Sequence, residues 1–222
     1  MKVKLIALTQ PIEFNSPEEL IAYCARVSNP SNQENFDTAS KLLRYCIRKK
    51  HWSIFEQVDA TFEIETTRDI GRQILRHKFQ AQEFSQRYAE VDTDNFEIRE
   101  ARLQDIKNRQ NSIQTDDSEL QDHWDIWQRK VAGIASNAYQ WALKNGIAKE
   151  QARAVLPEGM TPSRMYMKGS LRNWIHYVDV RTDPATQKEH RLIAEEVKIQ
   201  LQKPFTFLRE YWDENLQSPD QK

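Results

Sequence analysis

Arg76-His77-Lys78-Phe79-Gln80-Ala81-Gln82-Glu83-Phe84-Ser85-Gln86-Arg87-Tyr88 decides how this chain is read. Within it, arginines, a lysine, a histidine, a glutamate and a serine stand beside Phe79, Phe84 and Tyr88. A solvated helix carries such charges but seldom those aromatics as well. Charge mixed with aromatics in one short span suits a pocket that holds a flat ring and an anionic group together. The plainer alternative is a charged helix end running into a half-buried strand.

Upstream, Thr67-Arg68-Asp69 starts a short helix that points Ile70 and Ile74 inwards and delivers Arg76 and His77 at its end. Arg72 and Arg76 share one face of it, with Gln73 beside them. Like charges at that spacing repel by roughly a few tenths of a kcal/mol, so the pair needs an acidic partner, from protein or ligand. Arg153 (in Ala-Arg-Ala-Val-Leu-Pro), Arg172 (in Ser-Leu-Arg-Asn-Trp-Ile-His-Tyr) and Arg181 (in Val-Asp-Val-Arg-Thr) also stand among apolar neighbours. A partly desolvated guanidinium needs a partner. Singly each fits a structural ion pair; together they favour an anionic ligand such as a nucleotide phosphate.

The 222 residues are enough for one sizeable core, or for one domain with an insertion. Charged residues make up 29% but the net charge is −1, so no global field draws the protein onto nucleic acid, and only a local cationic pocket is open to it. A mean hydropathy of −0.80 suggests a helical protein with much polar surface, some of it buried between subunits. Six tryptophans and nine phenylalanines argue against disorder. Cys24 and Cys46 read as small core residues in a reducing compartment, and no Cys/His cluster suggests a metal. Met1 to Leu8 has neither a long apolar region nor a cleavage signal, and no segment approaches a membrane span, so a cytoplasmic protein is expected.

Alternation makes a strand of Val3 to Thr9 and another from Val58 to about Glu65. Ser16-Pro17-Glu18-Glu19 starts a helix. A second helix spans about Thr38 to Lys49, with Leu42, Leu43 and Cys46 on one face. Residues 92–118 are polar and read as a long irregular insertion. A helix from Glu119 to Lys144 carries Leu120, Trp124, Trp127, Val131 and Ile134 and stops at Asn145-Gly146. A shorter helix ends at Pro157, Tyr166 to Gly169 is a strand end, Ser170 caps a helix to about Val180, and a last long helix begins near Ala185. The economical architecture is one α+β domain over 1–222.

The opening stretch resembles the signature of the flavin-dependent thymidylate synthases: Arg-His-Arg, a seven-residue spacer, a serine, then Arg-Tyr. Glu83 to Tyr88 matches the second half. The first half departs twice, with Lys78 in place of the second arginine and six residues before Ser85. The resemblance continues in family order through Ala25-Arg26-Val27-Ser28, His51-Trp52-Ser53-Ile54-Phe55-Glu56, Arg72-Gln73, Ala152 to Pro157 and Ile175 to Arg181. Asp105 to Ser112 resembles an insertion of viral-type members, which would place the protein in a host cytoplasm.

The resemblance implies a mixed sheet flanked by long helices, assembled as a homotetramer with active sites between subunits. It implies conversion of dUMP to dTMP with methylenetetrahydrofolate as carbon donor, FAD as redox carrier and NADPH as reductant. By position, Gln73, Arg76, Glu83, Phe84, Ser85, Gln86, Arg87, Arg153 and Arg181 would bind dUMP. Ser28, His51, Ser53, Glu56, Arg76, His77, Lys78, Gln82, Glu83, Ser170, Arg172 and His176 would hold FAD, with His51 also beside the folate.

Arg181 is the expected catalytic residue, stabilising negative charge on the uracil oxygens. Ser85 has no neighbouring histidine in sequence and is assigned to binding, not attack. His51 and His77 are expected to orient. Losing one residue after His77 would turn a helical segment by about 100°, whereas a loop can tighten. Lys78 gives up a planar fork, so weaker FAD binding than is usual in the family is expected. Glu158-Gly159-Met160 looks one residue longer than its relatives. The rival reading is a non-catalytic nucleotide or single-stranded nucleic-acid binder on the same fold, touching phosphates through Lys107 to Gln114.

Overall fold

The computed structural model describes residues 1–217. Period-two alternation builds its central sheet. β2 (Asp59–Thr67) turns Ala60, Phe62 and Ile64 inwards, and β6 (Pro162–Ser170) does the same with Met165 and Met167. The two pair antiparallel along their whole length, from Asp59 opposite Ser170 to Thr67 opposite Pro162. β1 (Lys2–Leu8) flanks β2 and β3 (Gln80–Glu83) flanks β6, giving the order β1-β2-β6-β3. The expected α+β class holds, but the sheet expected to be mixed is antiparallel at every pairing among the described residues. The reason lies in its other face. There, Glu65 pairs with Arg164 at 2.9 Å and Asp59 with Lys168 at 2.6 Å, a half-solvated face that parallel sheets rarely tolerate.

The apolar face is covered by helices. α1 (Pro17–Ala25) is capped by Ser16, whose Oγ accepts from the Glu19 N–H at 3.2 Å. α2 (Ala39–Arg48) buries Leu43, Cys46 and Ile47. α6 (Leu171–Arg181) buries Leu171, Trp174, Ile175 and Val178, three or four apart. The Trp174 indole donates to the Ala60 carbonyl at 3.0 Å, fixing α6 to the centre of β2. α7 (Lys188–Leu201) and α8 (Thr206–Gln217) complete the layer. The single last helix expected from Ala185 is these two, interrupted beside Pro204, which has no N–H to continue the first.

Residues 92–118, expected to be irregular, contain a hairpin of β4 (Arg102–Gln104) and β5 (Ser112–Gln114). Two glutamines of α4 (Ser118–Lys144) tie its base down. Gln121 both accepts from and donates to the Ala101 backbone (2.7 and 2.9 Å), and Gln128 does so with Arg99 (2.9 and 2.8 Å). Seven residues apart, they share one helix face and replace a strand ladder with side-chain amides. The apolar stripe of α4 faces outwards: Trp127 is 60% and Ile134 71% exposed, and Trp124 and Trp141 are exposed as well. Its inward side is instead Gln128, Ala135, Tyr139 and Ala142. Gly146 ends the helix at φ +76°, a left-handed conformation that suits glycine.

One close approach fixes the segment after α3 (Arg68–Ile74). The Phe79 ring lies 4.1 Å from Trp174, in the notch left by the missing side chain of Gly169, where a Cβ would overlap it. Gly169→Ala is therefore expected to lower stability by about 1–3 kcal/mol. Thermal unfolding checks this, and Phe79→Ala should relieve part of the penalty when combined with it.

Candidate active site

The signature begins where α3 ends. His77 N–H bonds to Ile74 O (3.0 Å) and Phe79 N–H to His77 O (2.9 Å), the second closing a three-residue turn. The segment after His77 is thus a tight turn and not a helix, so the shortened spacer is absorbed without rotating a helical face. The turn sets His77 against the end of α6, where Arg181 Nε donates to His77 Nε2 at 2.8 Å. The Tyr177 ring meets the imidazole edge-on at 5.0 Å. Burial first, then the charges of Arg181 and Arg76, push His77 down to about 4. His77 is accordingly neutral, with its proton on Nδ1, and acts as an acceptor that aims the guanidinium.

Gln73, one turn earlier, points to the start of α7. Its Nε2 donates to Gln187 Oε1 at 2.7 Å, and its Oε1 faces His190 Nδ1 at 3.2 Å. Gln187 donates in turn to Glu189 Oε2 at 3.0 Å, and Glu189 pairs with Arg102 of the hairpin. His190 is fully buried, and burial with the nearby Arg181 and His77 pushes it down to about 3. Sequence reasoning missed Gln187, Glu189 and His190. The available signal was the i, i+3 spacing of Gln187 and His190, which puts both on one helix face.

A second group surrounds the first half of α6. Arg172 pairs with Glu56 at 3.2 Å, and the His176 and Trp52 rings lie 4.3 Å apart. Trp52, Ser53 and Glu56 belong to a 3-10 helix (Trp52–Gln57). Ser170 caps α6 through the Asn173 N–H at 3.4 Å, and the Asn173 amide donates to Lys78 O at 2.6 Å, leaving the Lys78 side chain exposed. His51 meets Tyr45 edge-on at 6.3 Å. Ser28 lines a separate cleft of about 570 Å³ with Lys41, Tyr45 and Arg48.

A third group follows β3. The Glu83 carboxylate turns inwards, accepting from Ser163 Oγ at 2.8 Å and pairing with Arg68 at 3.3 Å. Gln82, Phe84 and Ser85 line a cavity of about 850 Å³ with Thr66 and Arg164. The Ser85 carbonyl closes the turn by accepting from Tyr88 and Ala89 (3.1 and 3.0 Å). Gln86 is buried, and its Nε2 has no partner. Arg87 lies 3.5 Å from the Glu150 carboxylate, while Arg153 Nε donates to the Glu150 carbonyl at 3.3 Å, so both arginines converge beside α5 (Lys149–Ala152). The acidic partner that Arg72 required is Glu158 at 3.6 Å, in the loop that looked one residue long. Arg76 is exposed.

A family model described as "Thymidylate synthase complementing protein" matches residues 5–205. A "Probable flavin-dependent thymidylate synthase" of Paramecium bursaria Chlorella virus 1 is 51% identical over 201 residues, covering 89% of this chain and 92% of that protein. A "Flavin-dependent thymidylate synthase" of Synechocystis is 54% identical over 200 residues, covering 87% and 91%. Among solved structures, the UMP/dUMP methylase PolB from Streptomyces cacaoi, bound with 5-Br dUMP, superposes with a TM-score of 0.77. It is 26% identical and covers 96% of this chain and 94% of that one.

His77 and His190 both titrate below the ordinary value of 6.5. Through that window the unfolded chain binds more protons, so their contribution is full above pH 6.5. It is lost as pH falls towards 4 for His77 and towards 3 for His190. The melting temperature should therefore drop between about pH 7 and 5. In His77→Gln, which keeps an acceptor for Arg181 without a titrating group, thermal unfolding by circular dichroism should show a smaller drop.

Proposed function

The chain belongs to the flavin-dependent thymidylate synthase family, and from that premise we propose that it converts dUMP to dTMP. Methylenetetrahydrofolate would be the carbon donor, FAD the redox carrier and NADPH the reductant. The observation that carries this reading is the Arg181–His77 contact at the end of α6 beside the tethered Gln73. Adding a carbon at C5 of uracil and reducing C6 puts negative charge on the ring oxygens. A guanidinium held by its Nε keeps its terminal nitrogens for those oxygens and needs no reorganisation as charge develops. Neutral His77 suits this task, because a protonated ring could not accept from Arg181.

The dUMP phosphate falls to the third group. Arg87 and Arg153 are set side by side, and their contacts to Glu150 are mostly solvent-exposed, worth about 0–1 kcal/mol and displaceable by a dianion. Ser85 and Gln86 add polar groups beside them, and the inward Glu83 holds the turn through Arg68 and Ser163. Gln73, Arg76 and Phe84 complete the set.

The second group fits a flavin dinucleotide in its chemistry. Cations from Arg172, Lys78 and Arg76 suit a pyrophosphate, and the hydroxyls of Ser28, Ser53 and Ser170 and the Gln82 amide can hydrogen-bond. Trp52 and His176 offer ring surface, and Glu56 orients Arg172. The bound flavin supplies the hydride chemistry, while the protein binds, orients and excludes water. With a lysine in place of the bidentate arginine, FAD should be held more weakly than is usual in the family. His51, exposed beside Tyr45, serves the folate side.

A homotetramer with shared sites accounts for the outward apolar stripe of α4, an exposed patch of the kind that marks an interface. No described helix is long and apolar enough to cross a membrane, and the free Cys24 and Cys46 suit a reducing cytoplasm, of the host if the source is viral. The nucleic-acid reading is less well supported, because polar groups near the hairpin tip are spent locally: Asp105 accepts from Lys107, Asn108 and Asn111.

Purified protein given dUMP, methylenetetrahydrofolate, NADPH and FAD should form dTMP, read by chromatography. Arg181→Ala should lower kcat by about 10²–10³-fold. No dTMP, together with salt-sensitive binding to single-stranded DNA, would favour the rival.

A further inference from the structure

The contacts between α3, α7 and the hairpin carry hydrogen-bond polarity in one direction. Arg102 can only donate and an ionised Glu189 can only accept. Gln187 must therefore turn its Nε2 to Glu189, as it does at 3.0 Å, and present its Oε1 to Gln73. Gln73 meets that oxygen with Nε2 at 2.7 Å and so turns its own Oε1 to His190, 3.2 Å away. A neutral His190 then carries its proton on Nδ1. Its Nε2 is buried without a partner, as is the Tyr177 hydroxyl, their rings 5.7 Å apart. An isolated glutamine can exchange its oxygen and nitrogen ends; this one is anchored at both, and the charged pair at the head of the chain fixes which way round.

We infer that His190, with Gln187, is a positioning residue that locks the orientation of the Gln73 amide, and that this orientation makes the nucleotide site select uracil over cytosine. The inference rests on the reading of Gln73 as a contact to dUMP. The anchored amide retains one N–H and one lone pair, in fixed order. Uracil presents a carbonyl at C4 beside a donor at N3, whereas cytosine presents an amino group beside an acceptor. One orientation of a carboxamide complements the first pattern and the reversed orientation the second. Arg181 cannot make the distinction, because it only donates and both bases share the C2 carbonyl. His190 touches no substrate in this scheme and acts only through Gln73.

The test is the ratio of dUMP to dCMP affinity, measured by titration calorimetry on the FAD-loaded protein. Wild type should bind dUMP saturably and dCMP far more weakly. In His190→Leu the preference should fall about tenfold or more, with dCMP gaining relative to dUMP. A loss of packing alone would weaken both ligands together and leave the ratio unchanged. Should His190→Leu fold poorly, Gln187→Leu, at a half-buried position, removes the other anchor and should narrow the same ratio. Wild-type preference retained in full by the folded variants would overturn the inference. A wild-type protein without saturable dUMP binding would instead overturn the functional reading beneath it.

Discussion

The Phe79 ring, seated in the notch at Gly169 and against Trp174, is the contact on which the rest of the site depends. Trp174 is fully buried, packs on Phe62 at 4.6 Å and donates to the Ala60 carbonyl. Burying a large apolar side chain stabilises by roughly 1.5–3 kcal/mol, and a favourable aromatic pair adds about 0.5–1.5 more. Sheet, helix and signature turn are thereby one packed unit. Because the turn is pinned at Phe79, His77 faces Arg181 on one side and the Lys78 carbonyl reaches Asn173 on the other. A signature shortened by one residue keeps its side chains in place through packing, where a helix would have rotated them away.

Burial separates the arginines that hold the fold from those left for ligands. Arg68 with Glu83, Arg99 with Asp69 and Arg102 with Glu189 are largely shielded pairs, and removing one partner there strands a charge. Arg72 with Glu158, Arg87 with Glu150 and Arg172 with Glu56 are about half exposed, and such pairs contribute little. An incoming phosphate can take over the second kind without dismantling the protein. Arg181 belongs to neither class. Its contact is a neutral ring, which directs the cation without neutralising it.

Much of this was legible in the sequence because local rules and tertiary structure agree there. The Ser16 cap, the alternation of β2 and the long span of α4 all follow from spacing alone. Direction and partnership were not legible. Alternation does not say which way the neighbouring strand runs, so the antiparallel pairing of β3 with β6 needed the structure. The hairpin was hidden because its base is held by Gln121 and Gln128 across sequence, in a stretch whose composition reads as loop. His190 was hidden in Lys188-Glu189-His190-Arg191, a run that looks like a solvated helix start until its histidine is found buried. The signature residues were recognisable by order, but the Arg181–His77 contact joins positions 104 residues apart.

The central claim is that the shortened turn still builds a working flavin site. The direct test is the absorbance spectrum of the purified protein with FAD, followed by anaerobic NADPH in the presence of dUMP. Protein-bound flavin bands that bleach on NADPH are predicted. A protein that stays colourless after added FAD and yet binds dUMP would contradict the account, showing that the turn at Lys78 keeps the nucleotide half of the site and has lost the cofactor half.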